Sequence, residues 1–532
     1  MQTDHIEIYD TTLRDGTQGE GIAFAVGEKL RVAALLDELG VHLIEGGWPG
    51  ANPRDSEFFA RARRELQLGH ARLAAFGSTA RPGAAPERDD NLAALLAAET
   101  PVVTIFGKSW MLHVREALAI AAADNLELVE TSVAHLARAG REVIFDAEHF
   151  FDGFRDDPGY ALAVLRAAEQ GGASRIVLCD TNGGSLPEHI AAATRAAAQT
   201  VRAPLGIHTH NDCDLGVANA LAAVAAGARH VQGTFNGWGE RCGNANLCSL
   251  LPVLELKLGY RGLGRERLRR LTPTARRIAE LANLPAPQRL PFVGASAFAH
   301  KGGVHVSAVR KAPETYEHVA PETVGNARRV LVSDLAGRSN LLEKAAEFGL
   351  PPLDAAAARK LAARVKELEH RGYELESADA SLELLLRGAG QNRGSFSPVA
   401  FAIQTRYVGA PGSPEAEARA EAQVTLNVGG ETVVATAAER GPVAALDAAL
   451  RRGLAPRFPQ LAEVGLTDYK VRILEGHRGT RAQVRVLVES SDGRLSWTTV
   501  GVSDNILEAS WEALTDSLRF YLMRSGGAAS RQ

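Results

Sequence analysis

Three separated stretches of this sequence carry side chains able to close around one divalent ion. The first is Asp10-Thr11-Thr12-Leu13-Arg14-Asp15-Gly16-Thr17-Gln18, which follows the apolar run Ile6-Glu7-Ile8-Tyr9. The second, His208-Thr209-His210-Asn211-Asp212, ends another apolar run, and the third is Gly239-Glu240-Arg241-Cys242-Gly243-Asn244-Ala245-Asn246. On a strand, residues i and i+2 share a face, so His208 and His210 can offer both imidazoles to one ion. Asp15 adds a carboxylate and Asn244 an amide oxygen. A mixed N/O set with positions left for water or substrate suits Lewis-acid work.

An open divalent site beside an arginine suits a 2-oxo acid. The ion would chelate carboxylate and keto oxygens, and Arg14 would stabilise charge growing on the keto oxygen during attack. A carbon nucleophile made next to a carbonyl also needs a base and an acid, for which Glu148, His305 and Tyr316 are candidates. The plain alternative for Glu148 is a solvated loop carboxylate. His305 and Tyr316 fall outside the first 264 residues, so they qualify only if their segment folds over the site.

The elements that must position these groups alternate. Short β-rich runs at 6–10, 41–46, 72–77, 101–106, 142–147, 175–180, 204–210 and 229–234 are separated by helical patterns such as 27–39, 54–67, 114–139, 158–171, 187–200 and 215–226. Such alternation reads as parallel βα units, and eight of them over some 250 residues is the size of a (β/α)₈ TIM barrel. A doubly wound sheet is the alternative, weakened by the lack of a Gly-x-Gly-x-x-Gly turn after the first strand. In a barrel the active site gathers at the carboxyl ends of the strands. Polar residues stand at all eight ends: Arg14 and Asp15, Glu45, Ser78 and Thr79, Lys108, Glu148, Asp180 and Thr181, His208 and His210, and the stretch Asn236 to Asn244.

Residues 265–390 read as helical linker subdomains with proline breaks at Pro285, Pro287, Pro291 and Pro351-Pro352, interrupted by the loop Phe298 to Ser307. That loop, rich in glycine and histidine, is read as reaching back over the barrel mouth. Gly388-Ala389-Gly390-Gln391-Asn392-Arg393-Gly394 reads as a domain boundary. The expected domains are therefore a catalytic barrel at 1–264, linker subdomains at 265–390 and an α+β module at 395–525. That module has strands at 399–407, 421–428, 431–437, 468–475, 482–489 and 496–503, and helices at 441–452 and 505–523.

At 532 residues the chain holds two or three domains. With 45% hydrophobic and 23% charged residues and a net charge of -4, nothing asks for nucleic acid or an anionic membrane. The four cysteines, Cys179, Cys213, Cys242 and Cys248, form no Cys-x-x-Cys pair, which favours reduced thiols over a disulfide scaffold. Without a basic-then-apolar leader or a membrane-length apolar run, a cytoplasmic location is expected.

The motifs at 10–18, 208–212 and 239–244, with Gly302-Gly303-Val304-His305 in support, resemble those of the metal-dependent Claisen-condensing enzymes related to α-isopropylmalate, homocitrate and citramalate synthases. The resemblance covers nearly the whole chain. It implies a divalent metal (Mg, Mn or Zn) on Asp15, His208, His210 and Asn244, with acetyl-CoA as co-substrate. It gives Arg14 to the keto group, Thr181 to the substrate carboxylate and Glu148 to carbanion formation. His305 and Tyr316 resemble linker residues that complete the site, in cis or from a dimer partner. The C-terminal module would bind an amino-acid effector, isoleucine before leucine, and Gly441-Pro442-Val443 is similar to its recurring element.

Substrate choice follows from finer matches. Gly46-Gly47-Trp48-Pro49-Gly50, Asp146 to Gly153 and Leu331 to Asn340 are similar to the citramalate-forming branch, which implies pyruvate as the keto acid. Ile144, where isopropylmalate synthases tend to place an acidic residue, and Phe106 favour the same small substrate. Ser307 stands where relatives often carry an aspartate. Isopropylmalate or homocitrate synthesis is the nearest alternative, because one methylene in an apolar pocket discriminates by only about 1–3 kcal/mol. A lyase, a biotin-linked carboxyltransferase and a non-catalytic sensor are the other readings. The effector-like module, the lack of an Ala-Met-Lys-Met segment and the intact polar set weigh against these in turn.

Overall fold

The computed structural model describes residues 5–528 apart from 286, 302, 332–337, 352, 376, 389–395, 409–416, 475–478 and 480. Eight parallel strands run β1 Glu7–Asp10, β2 Leu43–Gly47, β3 Arg72–Ser78, β4 Val102–Lys108, β5 Glu142–Glu148, β6 Arg175–Asp180, β7 Leu205–Thr209 and β8 His230–Gly233. Each pairs with the next, and β8 pairs back onto β1 with Glu7 opposite His230. That closure makes the TIM barrel and excludes the doubly wound alternative. Helices Val26–Leu39, Pro53–Glu65, Ala122–Arg138, Pro158–Gly171, Pro187–Thr200 and Gly216–Ala225 lie between the strands.

Strand alternation divides each strand between two cores. Ile8, Ile44, Val103, Ile105, Val143, Phe145, Ile176, Leu178, Ile207 and Val231 are buried together with helix residues such as Leu36, Val133, Leu165 and Ile190. The intervening residues Tyr9, Leu43, Ala74, Val102, Ile144, Val177 and Cys179 form a separate cluster inside the barrel. Each large side chain so buried contributes about 1.5–3 kcal/mol. The strand beginnings inside the barrel are charged: Arg175 pairs with Glu7 at 2.5 Å and with Glu142, Arg72 reaches Glu142 at 2.5 Å, and His230 Nδ1 stands 2.8 Å from Glu7. One end of the barrel is thus closed by an ion network, leaving the other for chemistry.

Two elements depart locally from the expected ranges. The helix expected over 114–139 is broken: Ala119 takes a left-handed φ of 55°, and a regular helix resumes only at Ala122–Arg138. A helix unforeseen in the sequence, Phe150–Asp156, follows β5 directly.

The chain packs into two compact units, Met1–Phe298 with Glu317–Arg328, and Ala299–Tyr316 with Arg329–Gln532. In the second unit the expected loop around His305 is instead the helix Gly303–Lys311, preceded by a two-residue strand Ala299–His300. Helices Ala355–His370 and Asp379–Gly388 follow. Asp354 caps the first by accepting from Ala356 N and Ala357 N. Beyond them stand two three-stranded antiparallel sheets, Phe396–Val408 with Glu417–Val428 and Glu431–Glu439, then Gly465–Ile473 with Val484–Ser491 and Ser496–Ser503. Each is followed by a helix, Pro442–Leu454 and Ile506–Ala528, so the α+β module is one βββα unit repeated. The boundary expected at 388–394 falls, from 389 onward, outside the described residues, as do Gly302 and 332–337. Among the described residues no helix is long and apolar enough to cross a membrane.

Candidate active site

At the carboxyl end of the barrel, β7 turns His208 and His210 inward while Thr209 faces the other way. Asp15 Oδ2 stands 3.4 Å from His208 Nε2 and 4.0 Å from His210 Nε2, and the two Nε2 atoms are 3.4 Å apart. All three residues are buried. Donor atoms about 2.1 Å from a common ion stand roughly 3.0–3.5 Å from each other, so this triangle has the size of a divalent site. The loop after β8 brings Asn244 alongside. Asn244 Nδ2 donates to Asp15 Oδ1 and to the Trp238 carbonyl, each at 3.1 Å, while its buried Oδ1 has no hydrogen-bond partner among the described residues. A buried amide oxygen without a partner, on a residue that touches Asp15 where three ligand atoms converge, is the arrangement a cation would complete.

The glycines of the third motif make that approach possible. Gly243 has a φ of 88°, and a Cβ there would lie 1.9 Å from the Gly237 carbonyl oxygen. In β2 the register slips by one residue between Glu45 and Gly47, a bulge at Gly46 where a Cβ would meet the Phe58 ring at 2.4 Å. The bulge is anchored by the buried Lys29, whose Nζ donates to the Gly46 carbonyl at 2.9 Å and pairs with Asp55.

Glu45 then faces Arg14. It accepts from Arg14 Nε at 2.5 Å, from Tyr9 Oη at 2.6 Å and from the Thr11 hydroxyl, while Arg14 Nη1 reaches Asp15 at 3.1 Å. The guanidinium carbon lies 3.7 Å from the centroid of Phe76. Phe76 stacks on Phe106, and Trp48 meets both rings edge-on. Burial alone would lower the Arg14 pKa, but Glu45 and Asp15 outweigh it and raise it. Burial would likewise raise the Asp15 carboxyl, yet Arg14 and the two histidines hold it well below the usual carboxylate range.

The histidines are tuned in opposite directions. Burial lowers His208, but the Asp15 carboxylate more than compensates and its pKa is raised. His210 is lowered to about 4 by burial and by the charge of His208. His208 Nδ1 lies 2.9 Å from Gln232 Oε1, and Gln232 Nε2 donates to Asp146 Oδ1 at 3.1 Å. Burial pushes the Asp146 carboxyl up to about 7.

Across the mouth, Glu148 ends β5 and pairs with Lys108 from the end of β4, both partly buried. It is therefore an ion-paired, partly buried carboxylate at a strand end and not a freely solvated loop residue. Thr181 follows β6, its Oγ1 accepting from His149 N at 2.9 Å and its carbonyl from Arg241 at 2.8 Å. His305 and Tyr316 belong to the second unit, where both are exposed and their rings stack at 4.2 Å. The structure thus brings Arg14, Asp15, His208, His210 and Asn244 together and stations Glu148 and Thr181 at neighbouring strand ends. Gln232 and Asp146 were not foreseen as supports; their signal is polar side chains at inward, buried strand positions of a closed barrel.

The HMGL-like family profile matches residues 5–273, a homocitrate synthase post-HMGL domain-like profile 292–373, and a LeuA allosteric (dimerisation) domain profile 378–522. The (R)-citramalate synthase of Aquifex aeolicus is 51% identical, over 98% of this chain and 98% of its own. That of Synechocystis sp. is 52% identical over 97% and 96%, and that of Streptomyces coelicolor 48% over 99% and 98%. The chain belongs to the (R)-citramalate synthase family. As a citramalate synthase homologue it is an acyltransferase that condenses acetyl-CoA with a keto acid, and its C-terminal module is a LeuA-type dimerisation domain.

Proposed function

We propose that this enzyme condenses acetyl-CoA with pyruvate and hydrolyses the thioester so formed, giving (R)-citramalate and CoA ahead of 2-oxobutanoate in isoleucine formation. Near-full-length identity to proteins named (R)-citramalate synthase supports the choice of keto acid. The observation that carries the reading is Arg14, set between Asp15 and the aromatic wall of Phe76, Phe106 and Trp48. A cation against a carboxylate and beside a close apolar wall suits a small keto acid better than a branched one.

A divalent ion (zinc, manganese or magnesium) on Asp15, His208, His210 and Asn244 would supply Lewis-acid polarisation of the keto acid. Thr181 donates its hydroxyl to the substrate carboxylate. Glu148 takes a proton from the acetyl methyl group, and the electron pair of that C–H bond becomes the enolate. The enolate carbon bonds to the keto carbon while Arg14 stabilises the alkoxide that grows on oxygen. The alkoxide takes a proton to become the tertiary hydroxyl, with His305 and Tyr316 as the proposed acid–base groups, and water then adds to the thioester carbonyl while CoA leaves as the thiol. The enzyme is further proposed to act as a homodimer regulated by isoleucine, or failing that leucine, through its LeuA-like domain. The exposed free thiols Cys213 and Cys242 suit a reducing cytoplasm.

The test is CoA release from acetyl-CoA with pyruvate, 2-oxobutanoate, 2-oxoisovalerate and 2-oxoglutarate offered in parallel. The highest kcat/KM is expected for pyruvate. A preference for 2-oxoisovalerate would contradict the proposal and make this an isopropylmalate synthase.

A further inference from the structure

His149 immediately follows Glu148 and takes a left-handed backbone, φ 56° and ψ 33°, which L side chains seldom adopt. Strained residues of this kind persist where the surroundings over-determine them. Here the determinants are visible. The ring sits at the start of the helix Phe150–Asp156, and its Nδ1 lies 3.2 Å from Asp152 Oδ2. Asp152 is itself held by Asn182 Nδ2 at 2.9 Å and Arg155 at 3.0 Å. The ring also meets His113 edge-on at 4.3 Å and Trp110 at 5.6 Å. A glycine would take this backbone without strain, so the histidine is present for its side chain.

The consequence reaches two groups on neighbouring strands. The left-handed turn aims His149 N–H at Thr181 Oγ1, 2.9 Å away. Because that oxygen accepts from the backbone, the hydroxyl hydrogen of Thr181 is left to donate elsewhere. On the other side of the same peptide, the Glu148 carbonyl accepts from Ser109 Oγ at 2.6 Å and from Ser109 N at 3.3 Å, next to the Lys108 that pairs with the Glu148 carboxylate. One peptide unit therefore joins the ends of β4, β5 and β6.

We propose that His149, clamped by Asp152, is a positioning residue that fixes the Glu148 carboxylate and the Thr181 hydroxyl relative to each other. The inference rests on reading Glu148 as the base and Thr181 as the carboxylate contact. Losing the clamp lets the peptide relax, and small misplacements of reacting groups are costly: about 1 Å can cost on the order of 10²-fold.

The experiment compares His149→Ala, His149→Gly and His149→Asn with Glu148→Gln in the full-length enzyme. It measures kcat, KM for the keto acid, deuterium uptake into the acetyl-CoA methyl group, and the unfolding midpoint. Alanine and glycine variants are expected to lose about 10- to 100-fold in kcat and in deuterium uptake and to raise KM, with unfolding midpoints near wild type. Asparagine tolerates the left-handed backbone and can donate to Asp152, so it should recover most of the rate. Wild-type kcat and KM in the glycine variant would overturn the inference, since backbone conformation alone would then suffice. Should Glu148→Gln keep its activity, the base assignment itself fails, a different result from inert His149 variants beside an inactive Glu148→Gln.

Discussion

His208 Nδ1 faces Gln232 Oε1 at 2.9 Å, and because Gln232 Nε2 is committed to Asp146, that oxygen must accept. The proton of neutral His208 is thereby placed on Nδ1, and the lone pair of Nε2 points toward Asp15 and His210. An imidazole ordered in this way is prepared to bind a metal through Nε2. Gln232→Met, similar in size but unable to accept, is expected to weaken divalent-metal affinity about 10- to 100-fold without unfolding the barrel. Metal titration calorimetry giving an unchanged Kd would contradict the role assigned to Gln232.

The pH dependence of metal binding follows from the two histidines. His208 is raised above its ordinary 6.5 by Asp15, so in the metal-free protein it holds a proton to higher pH than a free imidazole. That proton must leave for Nε2 to bind. His210, lowered to about 4, is already neutral, and Asp15 stays ionised throughout. Affinity should therefore fall on acidification, about tenfold per pH unit for one competing proton, starting above pH 6.5. His208→Ala should show no such single-proton slope in residual metal binding between pH 8 and 6.

Much of this site could be read from the chain before its fold. The strand Arg175–Asp180 and the helices Pro158–Gly171 and Pro187–Thr200 fall on the expected ranges, because β-branched runs and alanine-rich helical patterns alternate there without ambiguity. The convergence of Asp15, His208, His210 and Asn244 is legible because each lies in a motif that ends or follows a strand. What stayed hidden depends on pairing across the barrel. Nothing in His230-Val231-Gln232-Gly233 says that Gln232 will meet both His208 and Asp146. Nor do Glu7, Arg72, Glu142 and Arg175, spread over 169 positions counted from residue 7 to 175, declare themselves one network. The short helix Phe150–Asp156 was missed because its glycine and two aspartates read as a loop, and it draws its stability from burying Phe150 and Phe151.

Phe106 tests the apolar wall. Stacked on Phe76 and touched by Trp48, it is expected to limit the side chain of the keto acid. Phe106→Ala should shift kcat/KM from pyruvate toward 2-oxobutanoate and 2-oxoisovalerate by about 10- to 100-fold, the value of a methylene or two in such a pocket. An unchanged ratio among the three substrates would remove Phe106 from specificity.

The charged end of the barrel makes a prediction about stability. Burial would raise the Glu7 carboxyl, but His230 and Arg175 bring it from 4.5 down to about 2. A carboxylate depressed by folding stabilises the native state above its unfolded pKa and loses that contribution as pH falls toward the folded value. The wild type should therefore shed on the order of 2 kcal/mol from this group between pH 4.5 and 2. Glu7→Gln should be less stable at pH 7 and show a correspondingly shallower acid dependence in denaturant melts; equal slopes would contradict the pairing.

The most direct measurement is pyruvate-dependent CoA release by enzyme stripped with a chelator, before and after a divalent ion is returned, in wild type and in Asp15→Asn. Turnover is expected to vanish on stripping, to return with the ion in wild type, and to stay at least 10²-fold lower in Asp15→Asn. Full turnover in stripped, metal-free wild type, or in the variant, would contradict a metal-dependent condensation centred on Asp15, His208 and His210.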